Sequence, residues 1–428
     1  MGVLFVMPNW AAPSEVWMQR MIEALIQDIS YLAVERPEEK VWRGQIPVIN
    51  LTPPKTRFNR IIKRLGFRPI DHGKRLLIRA VQSEQVTCVF AHWLHFALRY
   101  MDVWNDTNKP LFVHCHGYDI TWNLRSYDKV SSGNIFSDEY PNEVRRLSER
   151  AILIANSHCT AQKLKNIGVP PHRIAIHYFG VPSRELTKRF DRVTGITLLF
   201  LGRLVDFKGP DLLIKAFELA CDRGFQGRLV MAGDGPLGAM CELMQIRSKY
   251  SKRIKLLGAV HAERAAELRR EADIFTAHSC IGPISNQEEG FGVAFAEAMA
   301  DGLPVVTGRA GALEELVVDG VTGILFTPGD VDAHADALLK LANNPELCLQ
   351  MGKAAWQRAR ALFPLENDSI NLRRILGLLP NKHDDEHEQY KKVYPAANHI
   401  GAASHAAKFR IRGSWAILPG MLTLLSTV

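Results

Sequence analysis

Short apolar runs alternate with polar or amphipathic stretches along most of this chain. Val3 to Met7, Thr87 to Trp93, Leu111 to His116, Ala151 to Ser157 and Ile174 to Gly180 are compact hydrophobic runs of strand length, and each predicts a buried strand. A helix is expected from about Glu15 to Gln27, capped by Ser14. After a polar stretch from Pro182 to Thr194 the pattern starts again. Ile196 to Gly202, Arg228 to Gly233, Ile254 to Leu257, Ala272 to Ala277, Leu303 to Val306 and Thr322 to Phe326 read as strands. Helices are expected from Asp211, over Val293 to Ala300, around Glu314 and Glu315, and over Asp332 to Leu341, Pro345 to Leu362 and Leu365 to Leu379. Two successive βα-rich halves of this kind predict an α/β protein with two Rossmann-like domains facing one another. The expected boundaries are 1–182 and 183–364, then a helical segment at 365–380 and a tail, 381–428, of uncertain structure.

The stretch from Glu288 to Asp330 is the densest in signals. Gly290, Phe291 and Gly292 allow a tight turn and a close backbone approach. A helix follows and stops at Asp301-Gly302; a short strand and a second glycine turn, Gly308 to Gly311, come next. A glycine turn that opens a helix presents unpaired N–H groups at the positive end of a dipole, which suits a phosphate or a sugar hydroxyl. Glu289 and Glu297 stand eight residues apart. Eight helical steps end about 80° round, so the two carboxylates can face one cleft. The alternative is a solvated helix face.

Composition adds little to that picture. With 47% hydrophobic and 23% charged residues, the 428 residues are ordinary globular material, long enough for two domains. The net charge of +8 suits anionic substrates or an anionic surface. Seven cysteines lie singly with no C-x-x-C pair, which points to reduced thiols and a cytoplasmic setting. MGVLFVMPNW has no basic n-region and reads as a first strand rather than a signal peptide. No apolar run reaches the roughly 18–20 residues needed to cross a bilayer.

Taken together, the run from Glu289 to Gly311 closely resembles the donor-site signature of retaining glycosyltransferases of the GT-B fold, family 4, whose E-x7-E motif matches Glu289 and Glu297. The loop after Gly202, RLVDFKGPD, resembles the same family's R-x4-K phosphate clamp in Arg203 and Lys208. His116-Gly117 resembles its HG motif, with Asp119 two residues further on. Phe179-Gly180-Val181 and the Gly233-Asp-Gly-Pro turn are also similar to family features. The glycine pair that many members carry after the first strand is absent here.

The resemblance covers residues from about 84 to 365 and implies a function. Residues 1–182 would be the acceptor side, 183–364 the nucleotide-sugar donor domain, and 365–380 a helix returning to the first domain. The donor would be a nucleotide-diphosphate sugar, with no cofactor and no metal. Glu297 would hold the ribose, Glu289 the donor sugar, and the N–H groups of Gly290, Phe291 and Gly292 the sugar or phosphate. Arg203 and Lys208 would neutralise the leaving diphosphate. His116 would orient the sugar, with Asp119 beside it. The acceptor would be a glycan or a lipid-linked oligosaccharide of the cell surface. A non-catalytic nucleotide-sugar-binding partner of a polysaccharide assembly complex is the alternative.

Three further signals stay open at this level. Gly233 to Gly238 matches G-x-G-x-x-G and reads as a dinucleotide loop or as a tight turn; the next strand offers no acid for a ribose. His92, His95, His114 and His116 read as metal ligands or as structural histidines, with no acidic third ligand placed. Lys55 to Arg79 carries nine Lys or Arg against one acid, Asp71, with apolar residues between. It suits a peripheral contact with an anionic inner membrane face or a solvated connector. Nucleic acid is not expected, because no recognition motif accompanies the charge. In the tail, Ser414 to Val428 is apolar but too short to span.

Overall fold

A computed structural model describes residues 2–9, 15–35, 37–52, 72–127, 133–186 and 195–379. Several expectations therefore lie outside the described residues. They are the Ser14 cap, the basic segment from Lys55 to Asp71, most of the polar linker, and the tail from Pro380.

The first lobe is an eight-stranded sheet: β1 (Val3–Met7), β2 (Ile29–Val34), β3 (Val41–Trp42), β4 (Ile46–Asn50), β5 (Cys88–His92), β6 (Leu111–His114), β7 (Ala151–Ala155) and β8 (Ile174–Ile176). Its spatial order is β3-β4-β2-β1-β5-β6-β7-β8, parallel except for the β3–β4 pair. The second lobe is a six-stranded parallel sheet: β9 (Thr197–Leu201), β10 (Arg228–Ala232), β11 (Ile254–Leu256), β12 (Ile274–Ala277), β13 (Val305–Gly308) and β14 (Gly323–Phe326). Its order is β11-β10-β9-β12-β13-β14. The central strands are mostly apolar; β1, β5 and β9 are buried at every residue, with Thr197 and His92 the polar exceptions at their ends. Strands of a parallel sheet lie under helices on both faces, which explains why they read as continuous hydrophobic runs rather than as alternation.

In each sheet the order reverses beside the first strand, between β1 and β5 and between β9 and β12. Such a switch point leaves a crevice at the carboxyl ends of the strands, because the flanking connections run off in opposite directions. His92 ends β5, His114 ends β6, and Arg203 follows β9. The topology thus delivers the expected site residues to two crevices, one per lobe.

Most predicted elements are found within a residue or two. The helix Val293–Ala300 has the predicted bounds. It ends as its Asp-Gly pair dictates: Gly302 adopts φ +76° and Leu303 N–H returns to Ala298 O at 2.9 Å. Three differences have physical reasons. The strand expected at Leu303 starts at Val305, because Pro304 has no N–H for the ladder; only its carbonyl pairs, with Phe275 N–H at 3.1 Å. The first helix is shorter than expected, Val16–Ala24. The segment expected as a strand up to Gly180 pairs only over Ile174–Ile176, and its end packs instead on the returning helix.

That helix, Leu365–Ile375, ties the two lobes together. Val181 N–H donates to Phe363 O at 2.9 Å. Arg373 reaches back to Asp28 Oδ2 and to Ala24 O, both at 2.7 Å. No helix among the described residues is long and apolar enough to cross a membrane.

Candidate active site

The two crevices meet along a seam, and two glycines mark its closest point. A Cβ added to Gly290 would lie 3.1 Å from the Cα of Gly117, and one added to Gly117 would lie 3.4 Å from the Cα of Gly290. The first contact is tighter than ordinary side-chain packing, and the second is a close van der Waals approach. Gly117 (φ +91°) opens the turn after His116, and Gly292 (φ +91°) opens the helix Val293–Ala300. Only glycine takes such φ values without strain. The HG turn of the first lobe is therefore laid against the GFG turn of the second.

On the second-lobe wall, Lys208 ends a 3-10 turn, Asp206–Lys208, and its Nζ pairs with Glu289 Oε2. Both side chains are mostly buried. Lys208 also lies over the Phe295 ring. The N–H groups of Gly290, Phe291 and Gly292 donate to no group among the described residues. The Phe291 ring points away into an aromatic cluster with Tyr178, Phe179 and Phe363, so only its backbone is offered to the seam. Arg203 is exposed. It stands at the rim of the same loop with no side-chain partner among the described residues.

Glu297 looks elsewhere than Glu289. Its carboxylate joins Arg269 at 2.8 Å and Arg20, on the first-lobe helix Val16–Ala24, at 2.7 Å. Arg269 also holds Asp301 at 2.6 Å. The two acids of the E-x7-E spacing thus share the seam but no partner: one meets the lysine, the other bridges the lobes.

The first-lobe wall is a stack of histidines. β5–β6 register sets His92 beside His114. His92 Nδ1 lies 3.0 Å from His116 Nε2. The His114 and His116 rings stack with centroids 4.6 Å apart. His114 Nε2 is 3.3 Å from His177 Nδ1, and His177 Nε2 is 2.7 Å from Asp368 on the returning helix. Trp17 and Trp93 pack on His116 at 4.6 and 4.5 Å. Burial, reinforced by the neighbouring imidazoles, holds His92, His114 and His116 well below the usual histidine range, so all three are neutral at pH 7. His116 Nδ1 and His92 Nε2 have no partner among the described residues, which leaves two hydrogen-bonding atoms in the wall.

Asp119 does not reach the seam. It was expected beside the donor, but its side chain is fully buried and both oxygens are taken by backbone, by His116 N–H and by Leu94 N–H, each at 2.8 Å. A carboxylate two residues beyond a glycine turn folds back onto the turn's own amides; here it shapes the loop that carries His116. Burial raises its pKa to about 6, against the lowering effect of those N–H groups. His95 lies apart from the stack, against Tyr118 and Phe136.

The stacked rings do not converge on a point. Among the described residues no group of three or more His, Cys, Asp or Glu is disposed to hold a metal ion. The Gly233–Gly238 turn packs against the loop at Leu204; a Cβ on Gly235 would lie 2.5 Å from Leu204 O. It is a close-packed turn beneath Arg203. Sequence reasoning missed Arg20, His177 and Asp206. Only Asp206, between Arg203 and Lys208, was flagged by its neighbours.

Comparison with known proteins bears on the second lobe most directly. Residues 185–358 match the family described as glycosyl transferases group 1. A D-inositol 3-phosphate glycosyltransferase of Kribbella flavida is 31% identical over 257 residues, 55% of this chain and 60% of that protein. A GDP-mannose-dependent alpha-(1-6)-phosphatidylinositol monomannoside mannosyltransferase of Mycolicibacterium smegmatis is 27% identical, over 58% of this chain and 64% of that one. The chain thus spans about 60% of the length of these relatives. The crystal structure of Anabaena HepE in complex with UDP superposes with a TM-score of 0.70 at 19% identity, covering 89% of this chain and all of that one. At that identity the likeness speaks for the fold, which is GT-B: two facing Rossmann-like lobes.

Proposed function

We propose that the chain is a retaining glycosyltransferase that moves a sugar from a nucleotide-diphosphate sugar to a glycan or lipid-linked acceptor in cell-surface polysaccharide synthesis. The observation that carries this reading is the contact of Gly117 with Gly290. It gathers His116, the free N–H groups at Gly290 to Gly292, Glu289 and Lys208 around one seam. The family match over residues 185–358 and the nucleotide-sugar proteins among the relatives support it.

In this reading Glu297 holds the ribose and Glu289 a hydroxyl of the donor sugar. Lys208, with Arg203 at the rim, faces the diphosphate. The bond from the anomeric carbon to the diphosphate oxygen breaks as the acceptor oxygen forms its bond on the same face. The acceptor proton passes to the departing phosphate oxygen. Charge grows on the diphosphate, so a cation held in a water-poor site stabilises the transition state more than the ground state. Lys208 and Arg203 then supply the counter-charge a metal ion would give. His116, kept neutral by burial, donates or accepts a hydrogen bond without adding charge. The phosphatidylinositol monomannoside that names the Mycolicibacterium smegmatis relative favours a phosphate- or lipid-bearing acceptor. A peripheral inner-membrane contact through Lys55–Arg79 fits such an acceptor, and flotation with anionic vesicles at two salt concentrations tests it; salt-insensitive or absent binding removes it.

A donor screen tests the central claim. Purified protein incubated with UDP-glucose, GDP-mannose and related nucleotide sugars should release UDP or GDP slowly by hydrolysis and faster with acceptor. Binding of a nucleotide sugar with no release of diphosphate would leave the non-catalytic partner instead.

A further inference from the structure

Asp206 sits between the two proposed clamp cations, yet it faces away from the clamp, into a polar knot that crosses the seam. Its side chain is nearly fully buried. Oδ1 accepts from Phe207 N–H at 2.8 Å, from Ser285 O–H at 2.7 Å and from the Tyr127 hydroxyl. Oδ2 accepts from Ile284 N–H at 2.8 Å and Ser285 N–H at 2.7 Å. Tyr127 belongs to the first lobe; every other partner belongs to the second. The tyrosine oxygen also accepts the Asp206 N–H at 2.7 Å. Two more bonds run beside it: Arg125 N–H to Ser285 O at 3.0 Å and Asn286 Nδ2 to Asn123 O at 2.8 Å. The packing has no slack, since a Cβ on Gly282 would lie 2.5 Å from Asp206 Oδ2.

The position of this knot gives it its meaning. Two residues after Asp206 comes Lys208; three residues after Asn286 comes Glu289. The loops held by Asp206 are therefore the two that carry the Lys208–Glu289 pair. A buried carboxylate is tolerated only while donors surround it. If Tyr127 withdraws, Asp206 loses one donor and its own N–H loses its acceptor. Burial and the adjoining carboxylate raise the Tyr127 pKa, so its hydroxyl keeps the proton it donates.

We propose that Tyr127 and Asp206 form a positioning clasp, through which the approach of the first lobe sets the relative placement of Lys208 and Glu289. Neither residue touches substrate. The kinetic consequence rests on the proposed transferase activity; the structural one does not.

Tyr127→Phe tests both, because it removes one oxygen and keeps the ring. Hydrogen exchange is followed on peptides spanning 123–127 and 282–289 of the full chain, and donor binding and turnover are measured with UDP-glucose and GDP-mannose. Exchange is expected to quicken at least tenfold on both peptides. The kcat is expected to fall about tenfold while the Kd of the donor rises by a smaller factor, since Lys208 meets the diphosphate in both states but charge builds there only in the transition state. Unchanged exchange on either peptide overturns the clasp, whatever the kinetics show. Quicker exchange with kcat intact overturns its link to the clamp. If wild-type protein turns over neither donor, the transferase reading is what fails, and exchange still decides the clasp. Asp206→Asn is the second variant: it should reproduce the quickened exchange at 282–289, because an amide nitrogen cannot accept the Ile284 and Ser285 N–H groups.

Discussion

The two walls of the seam differ in how they keep polar groups out of water. On the second-lobe wall Lys208, Glu289, Glu297 and Arg269 are charged and answered by opposite charges. On the first-lobe wall His92, His114 and His116 are neutral, stacked on one another and on aromatic rings. A charged wall can respond to charge that develops during a reaction. A neutral one can shape and exclude water, but it carries a latent cost that appears when its imidazoles are forced to protonate. In the proposed reading the chemistry is concentrated on one wall and the fit on the other, and that contrast can be broken by experiment.

The largest effect expected is acid lability of the histidine wall. His92 and His114 are fully buried with depressed pKa values. A folded-state pKa below the unfolded 6.5 gives stability that is present above pH 6.5 and lost as pH falls toward the folded value. Each such group removes at most about 1.4 kcal/mol per pH unit in that window, and the two losses add. Asp119 acts in the opposite sense between about pH 6 and its unfolded value, but it is one group against several. Thermal melts from pH 7.5 to 5 should show a steep drop; a level melting temperature over that range refutes the neutral stack.

Second comes the charged wall. Lys208→Ala should lower turnover about 10²–10³-fold, the loss of roughly 2.7–4 kcal/mol from a preorganised charge contact. Turnover at the wild-type rate in a folded Lys208→Ala protein would remove the clamp assignment. Third, His116→Ala should cost about tenfold in kcat/KM, in line with one lost hydrogen bond of about 1.4 kcal/mol, with no new acid limb in the rate profile. A loss as deep as that of Lys208→Ala would erase the division of labour between the walls. The smallest effect is expected from Arg20→Met. Its pair with Glu297 is mostly buried, but Arg269 still answers the carboxylate, so no acid is left buried and unpaired, which is the case that makes losing a partner costly. A melt lowered by ten degrees or more would mean that Arg20 is a principal lobe-to-lobe strut.

The difference between the walls also sorts what could be read from residues in order. Every element of the second wall is local: the clamp is one loop, the GFG turn and its helix one stretch. Turn chemistry suffices to mark Gly290 to Gly292 as a turn that opens a helix, while Lys208 and Glu289 were singled out by the motifs they resemble. The histidine wall is assembled from three strand ends and a returning helix. His177 and Asp368 stand 191 residues apart, and nothing in either neighbourhood announces the other. Asp119 shows the limit of a motif: its spacing suggested a ligand-facing acid, while its oxygens are taken by the His116 amide of its own turn and by the distant Leu94 amide. The strands from Ile29 to Asn50 escaped the reading because their short runs are broken by the charged segment around Glu38 to Lys40.

The sequence by itself determined the two Rossmann-like halves, because strands buried on both faces must be continuously apolar and glycines must stand where the backbone turns. It also determined which loops could meet an anion, because N–H groups at a helix start are a property of that segment alone. Only the tertiary structure decided that Glu297 turns to Arg20, that Asp119 is spent beneath the histidine loop, and that Tyr127 reaches Asp206. Each of those outcomes depends on which group from a distant part of the chain, in the other lobe for Glu297 and Tyr127 and at Leu94 for Asp119, arrives within hydrogen-bonding distance, and a linear chain does not encode that distance in any one stretch.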